Sequence, residues 1–255
     1  MSQQYENCRI HSLEKARLIL DCFLDKDEIG LSELSKTLGW NKSTVFALAD
    51  SLKSVGFLLQ IPENGKYRLG YGLLQLSSRI SLDIKSAARP FMEELSAKYK
   101  ENINLTGYQN TEITYLDQIE SLYAVRVAGG VGVRMELSSS AVGKAILSAL
   151  PDEDMLALVD RLPLTRFTDH TITDKESLLR EIALTKERGY GINCSESWED
   201  VYTVGVAILN VSGRPIGGLS IDGPLNRMVS GRLQAQIASD LKAAASGIQT
   251  ALYHI

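Results

Sequence analysis

Asn41-Lys42-Ser43-Thr44 places an amide, an ammonium group and two hydroxyls at consecutive positions. Opening a helix, that run suits contact with base edges and phosphates. Asn41 is a residue type that caps helices by accepting from a backbone N–H two or three positions on. Lys42, Ser43 and Thr44 either reach a nucleic acid or face solvent. Lys66 and Arg68 follow the turn residues Pro62-Glu63-Asn64-Gly65; they fit phosphates or a minor groove, or else belong to a solvated hairpin edge. A second grouping is Cys194 with Glu196, two apart and so on one side of a strand, with His170 as a distant base. No spacing brings His170 to them and no nucleophile elbow is present, so catalysis is not expected. Gly129-Gly130-Val131-Gly132 lacks the lysine and hydroxyl of a phosphate loop. Ala141-Val142-Gly143-Lys144-Ala145 has the lysine, but Ser138 stands for the upstream glycine and Ala145 for the hydroxyl. The close approach that Gly143 permits serves helix packing or a ligand at a helix N-terminus.

The elements that position these residues follow from periodicity. A helix is predicted over 12–23, with Ser12 as its cap and Leu13, Ala16, Leu20 and Phe23 on one face. After the charged Asp25-Lys26-Asp27-Glu28, a short helix opens at Ser32, turns Leu34 and Leu38 inward and stops at Gly39. The next begins behind Asn41, buries Val45, Leu48 and Leu52 and ends at Gly56. Phe57, Leu59 and Ile61 alternate as a strand, and Tyr67 and Leu69 as its return. A turn between two helices is weak evidence by itself; the trailing hairpin makes the arrangement a winged helix-turn-helix, the form that binds duplex DNA. Leu73, Leu76, Ile80 and Ile84 then mark a helical stripe that is either core or, given its place between two domains, a seam against a second subunit. Beyond it the sequence predicts a helix over 90–100 and strands over 103–108, 112–118 and 123–127. Helices over 141–149 and 151–161 follow, then one opened by a Thr173–Glu176 capping box and closed by Gly189. Strands over 190–194, 203–210 and 215–221 precede a last helix carrying Leu233, Ile237, Leu241, Ile248 and Leu252. Strands that adjoin one another in this way indicate an α+β fold with an antiparallel sheet.

Composition bounds the rest. The chain has 255 residues, 44% of them hydrophobic and 23% charged, which is the make-up of a globular protein. No run of about 18 uncharged apolar residues suggests a membrane span, and no signal-peptide core opens the chain, so a cytoplasmic location is expected. Three dispersed cysteines (Cys8, Cys22, Cys194) and three dispersed histidines (His11, His170, His254) point to no disulfide framework, metal site or cofactor. The net charge of −4 divides into +1 over residues 1–80 and −5 over the remainder. That balance permits DNA binding without demonstrating it.

Ordered along the whole chain, these motifs resemble the isocitrate lyase regulator (IclR) family of bacterial transcription factors. The N-terminal match runs from Leu31-Ser32-Glu33-Leu34 through Leu38-Gly39-Trp40-Asn41-Lys42-Ser43-Thr44-Val45, with Leu52, Gly56-Phe57 and Tyr67-Arg68-Leu69-Gly70. The C-terminal match includes Ser140-Ala141-Val142-Gly143-Lys144-Ala145, Gly189-Tyr190, Glu196 and Leu219-Ser220-Ile221-Asp222-Gly223-Pro224. The resemblance implies a winged helix-turn-helix over 1–70, a linker helix over 71–86 and an effector-binding domain of GAF/PAS-like fold over 87–255. It also implies a homodimer or homotetramer that binds operator DNA and controls catabolic genes in response to a metabolite. Carried over by position, the effector site would comprise Ala141 and Gly143, then Asn193, Glu196, Val201 and Thr203, and Ser220 and Asp222. The chain departs from the family pattern where Ala47 replaces a frequent arginine, Ser138 a histidine, Ser195 an acid, Asp200 a glycine, Thr203 a cysteine and Ala207 a proline. Asp222 stands where small hydroxyl residues are frequent. A carboxylate there disfavours a small acid and favours a polyhydroxylated or zwitterionic effector; its alternative role is to cap a turn at Gly223-Pro224.

Overall fold

A computed structural model describes residues 8–24, 26–77 and 82–253, which fall into two compact units divided between Leu82 and Asp83. In the first unit α1 (His11–Asp21), α2 (Leu31–Leu38) and α3 (Lys42–Ser54) precede a hairpin of β1 (Leu58–Gln60) and β2 (Tyr67–Leu69), then α4 (Tyr71–Ser77). The helices and hairpin enclose a core of Ile19, Phe23, Ile29, Leu34, Val45, Ala49, Leu52, Leu58 and Tyr67. Gly39 ends α2 in the left-handed conformation at φ 69°, where a side chain would be strained, and this sharp stop allows α3 to restart within three residues. Ile29 adds a bridge to Tyr67, through N–H···O bonds of 2.9 and 3.0 Å, and so ties the hairpin to the helices.

Local corrections to the sequence reading arise here. α1 starts at His11 without a side-chain cap, so Ser12 lies inside its first turn. Its buried residue is Ile19, Phe23 joins the core from the turn after the helix, and Leu13 is exposed. In β1 the buried residue is Leu58, the opposite parity to Phe57, Leu59 and Ile61. A three-residue strand is too short for alternation to fix its face, and the Phe57 N–H is still engaged by Leu52 at the end of α3. In the stripe at 73–84, Leu73 is half-buried and Leu76 exposed. Ile80 lies outside the described residues, and Ile84 is core of the second unit.

The second unit comprises α5 (Leu82–Tyr99), β3 (Asn102–Gln109), β4 (Glu112–Ile119), β5 (Arg134–Glu136), α6 (Ala141–Ala149), α7 (Asp152–Val159) and α8 (Lys175–Arg188). β6 (Gly191–Cys194), β7 (Val201–Leu209), β8 (Pro215–Pro224), α9 (Leu225–Met228) and α10 (Gly231–Tyr253) complete it. The six strands form one antiparallel sheet in the order β5-β4-β3-β8-β7-β6, the helix-flanked sheet of a GAF-like domain. Alternation gives the sheet two unlike faces. Ile103, Leu105, Val204, Val206, Leu219 and Ile221 pack with α5 and α10 in the larger core. The other face carries α6 and α8.

α5 begins eight residues before the predicted start and runs through Pro90. Ile84, Ala88, Met92 and Leu95 make one buried face along it, enough to outweigh the roughly 3 kcal/mol cost of an interior proline. The cap of α8 is Asp174, which accepts from the Ser177 N–H at 2.8 Å, and not Thr173. Residues 123–127 form no strand; β5 takes that edge instead. Their backbone is satisfied from side chains: Arg227 donates to the Val125 carbonyl and Asn102 to that of Val127, each at 2.9 Å. Arg227 also lies over the Tyr123 ring, 4.6 Å from its centroid, and holds buried Glu101 through two bonds of 2.6 and 2.8 Å.

Candidate functional site: a capped helix and a small cavity

In the first unit Asn41 caps α3: its Oδ1 accepts from the Thr44 N–H at 2.9 Å and from the Ser43 hydroxyl at 3.0 Å. Capping frees the first turn to project Lys42 and Ser43, both exposed, while Thr44 is half-buried. In the wing, Asn64 Oδ1 accepts from the Lys66 N–H at 2.9 Å and shapes the turn, leaving the Lys66 and Arg68 side chains exposed. The Lys66 ammonium lies 3.9 Å from Glu28, an exposed pair that solvent largely screens. Neither lysine is committed to the fold.

The second unit holds a cavity over the end of the sheet, and glycines create it. A Cβ at Gly191 would stand 1.9 Å from the Ala141 carbonyl oxygen, and one at Gly205 would stand 2.7 Å from the Val142 nitrogen. Bare backbone on β6 and β7 therefore lets the start of α6 settle directly on the sheet. Where the same face turns polar, a gap remains. Six predicted effector residues line it: Ala141 at the helix start, Asn193, Val201 and Thr203 on β6 and β7, and Ser220 and Asp222 on β8. Register explains the convergence, since Asn193 pairs with Thr203 and Thr203 with Asp222 across three adjacent strands.

Gly143 and Glu196 stand outside this lining. A Cβ on Gly143 would meet the Leu137 carbonyl at 2.2 Å, so the glycine serves helix packing, and its N–H is capped by Ser140 Oγ at 3.0 Å. Glu196 instead pairs with Lys144 at 2.5 Å beneath the cavity wall. Lys144 is 1% exposed and also lies 3.9 Å from Glu181. Burial pushes the Glu196 carboxyl up, against the opposing pull of Lys144.

The sequence reading missed the apolar half of the wall: Ile113, Tyr115, Val127, Met135 and Trp198. Alternation along β4 was the available signal for Ile113 and Tyr115. Nothing local marks Trp198, which the 195–200 loop delivers. That loop turns through left-handed Ser195 and Asp200, at φ 58° and 57°, the latter where the family pattern has glycine. It is anchored by Asn193, which accepts from the Glu196 N–H at 2.8 Å and donates to Ser197 Oγ at 3.0 Å.

Asp222 is the cavity's charged group. Its strand continues through Gly223 to Pro224, so no turn is present for it to cap. Asn102 donates to it at 3.0 Å, Asn104 donates to its other oxygen, and Gln118 donates in turn to Asn104 at 2.8 Å. Burial pushes its pKa up to about 6 from 3.8, partly offset by the two amides and assisted by nearby Glu101. As described, the cavity holds about 20 Å³, space for about one water molecule. A metabolite therefore requires a wall to move. Burial and Glu196 push the Cys194 thiol up, the reverse of what an activated nucleophile needs. Among the described residues no helix is long and apolar enough to cross a membrane.

The comparisons with known proteins agree with both halves. Residues 12–62 match the family model "IclR helix-turn-helix domain", and residues 77–250 match "Bacterial transcriptional regulator IclR C-terminal". The HTH-type transcriptional regulator XynR of Escherichia coli K12 is 31% identical over 246 residues, covering 95% of this chain and 97% of XynR. The HTH-type transcriptional regulator KdgR of the same organism is 33% identical over 231 residues, covering 90% and 88%. Among solved structures, an IclR homolog from Microbacterium hydrocarbonoxydans, complexed with 4-hydroxybenzoate, superposes with a TM-score of 0.81. It is 26% identical, with coverage of 96% of this chain and all of that one. The capped helix-turn-helix, the helix-flanked antiparallel sheet and these matches together establish that the chain belongs to the IclR family of DNA-binding bacterial transcriptional regulators.

Proposed function

We propose that the protein is a cytoplasmic regulator of a catabolic operon whose grip on double-stranded operator DNA is set by a small metabolite. DNA is read through Lys42, Ser43 and Thr44, with Lys66 and Arg68 on phosphate, and Asn41 holds the helix start. The effector occupies the cavity at Ala141, Asn193, Val201, Thr203, Ser220 and Asp222, with Gly143 and Glu196 supporting its wall. One observation carries the reading: a small, partly enclosed cavity holding the buried Asp222 carboxyl lies in the same chain as a capped helix whose first turn exposes Lys42 and Ser43. Asp222, two hydroxyls and an amide favour a polyhydroxylated or zwitterionic ligand, since each polar group left unpaired there costs about 1–3 kcal/mol. That the Microbacterium relative was crystallised with a small hydroxylated acid supports a small-molecule effector in general terms. The mechanism is linkage: the effector binds two conformations unequally and so shifts operator affinity.

The DNA half is tested by salt. Lys42→Ala and Arg68→Ala are expected to fold normally, to bind DNA more weakly, and each to reduce the slope of log affinity against log salt by roughly 0.9. Unchanged affinity and slope in both variants would remove these residues from the interface. The protein acts as a homodimer or homotetramer, in which exposed Leu76 contributes to a subunit seam. Leu76→Glu is expected to lower the mass seen in sedimentation; a soluble variant of unchanged mass would end that assignment.

A further inference from the structure

The outward face of α3 carries a feature that phosphate contacts do not explain. Val45, Ala49 and Leu52 point into the core, and Lys42, Ser43, Phe46 and Ala47 point out. Phe46 is 51% exposed, and it belongs neither to the buried cluster nor to the side chains packed on it. Phe46 follows Lys42 by four residues and Ser43 by three, so the ring stands one helical turn behind the two polar groups at the helix start. Ala47 beside it is too short to cover the ring. A carboxylate one turn further along the helix, Asp50, is paired with Lys53 at 2.7 Å. Half-exposed in water, the ring contributes little to folding; flanked by a lysine and a serine, it is placed to meet a polyanion that also offers an apolar spot. In the major groove the C5-methyl of thymine is that spot, and among the four bases thymine alone presents a methyl there.

We propose that Phe46 reads a thymine methyl in each operator half-site and is a specificity-determining residue. The proposal rests on the DNA-binding reading above and adds the base that the helix selects.

The test uses the full-length protein and a pool of random duplexes. Sites enriched by the wild-type protein are remade with each thymine replaced, one at a time, by deoxyuridine, which lacks only the methyl group. At one thymine per half-site, the replacement is expected to weaken wild-type binding by about three- to ten-fold. The Phe46→Ala variant should bind thymine and deoxyuridine equally at that position, while its melting temperature stays near that of the wild type. Phe46→Leu, which keeps an apolar tip, should retain part of the preference and serves as the variant of record if Phe46→Ala folds poorly. A deoxyuridine scan on which wild type and variants behave alike would overturn the assignment, as would a Phe46→Ala variant whose only change is in oligomeric mass. Failure of the wild-type protein to enrich any site would instead overturn the DNA-binding reading itself.

Discussion

Lys144→Met is expected to destabilise the C-terminal unit by about 3–5 kcal/mol, seen as a drop in melting temperature, even though the cavity residues are untouched. The lysine is buried on α6 and compensates the Glu196 carboxylate, whose Oε2 has no hydrogen-bond partner among the described residues. Removing the ammonium leaves that carboxylate in a medium that solvates it poorly, and its pKa, already raised by burial, rises further. The sign with pH follows. A carboxyl whose folded pKa lies above its unfolded value is most favourable at low pH, and its contribution falls as pH climbs through the folded pKa. The Lys144→Met deficit is therefore expected to be larger at neutral pH and to shrink as pH falls toward the ordinary glutamate value of 4.5. Lys144→Met combined with Glu196→Gln should recover most of the loss, because no charge is then left unpaired. Equal melting temperatures for Lys144→Met and wild type at pH 7 would show that the pair does not carry the wall.

Asp222→Ser should lower effector affinity by about 10- to 100-fold, the range expected for one hydrogen bond to a charged group. Its effect on stability changes with pH. Between the ordinary value of 3.8 and the folded value of about 6, the unfolded chain gives up this proton while the folded chain keeps it. Stability contributed by Asp222 is thus whole below pH 3.8, declines through that window and is lost above pH 6, a difference of about 3 kcal/mol. Serine has no such dependence but leaves the Asn102 and Asn104 amides short of an acceptor. At pH 7 these two costs oppose each other and the melting temperatures should lie close together; at pH 4 the variant should be the less stable. An ammonium-bearing effector should bind the wild type more tightly as pH rises through 6, since only the ionised carboxylate offers it a charge. Unchanged effector affinity in Asp222→Ser, measured by calorimetry, would return Asp222 to a purely structural role in the amide network.

Much of this was readable from residues because it depends on local chemistry. Asn41 as a cap and Gly39 and Gly189 as left-handed stops each follow from one side chain or from its absence. The polar half of the cavity was also legible, since Ser220 and Asp222 share a face by alternation and family position supplied Asn193 and Thr203. What escaped depends on distant partners. Residues 123–127 look like a strand, with Tyr123, Val125 and Val127 alternating, but Arg227 and Asn102 claim their carbonyls from far along the chain. Glu196 shares its neighbourhood with the cavity in sequence, and only the fold reveals Lys144 beneath it, 52 positions away. Trp198 reaches the wall through a loop whose two left-handed residues carry side chains, a shape that no turn motif announces.

The claim that joins the two halves is linkage, and one titration addresses it most directly. A metabolite that raises the melting temperature in proportion to ln(1+[L]/Kd) identifies a ligand of the folded protein. Operator affinity is then measured at fixed salt with and without that ligand, for the wild type and for Asp222→Ser. The expected result is a change of roughly 5- to 150-fold in wild-type operator affinity, reduced or abolished in the variant at the same ligand concentration. A ligand that saturates the wild-type protein yet leaves its operator affinity unchanged would contradict the account.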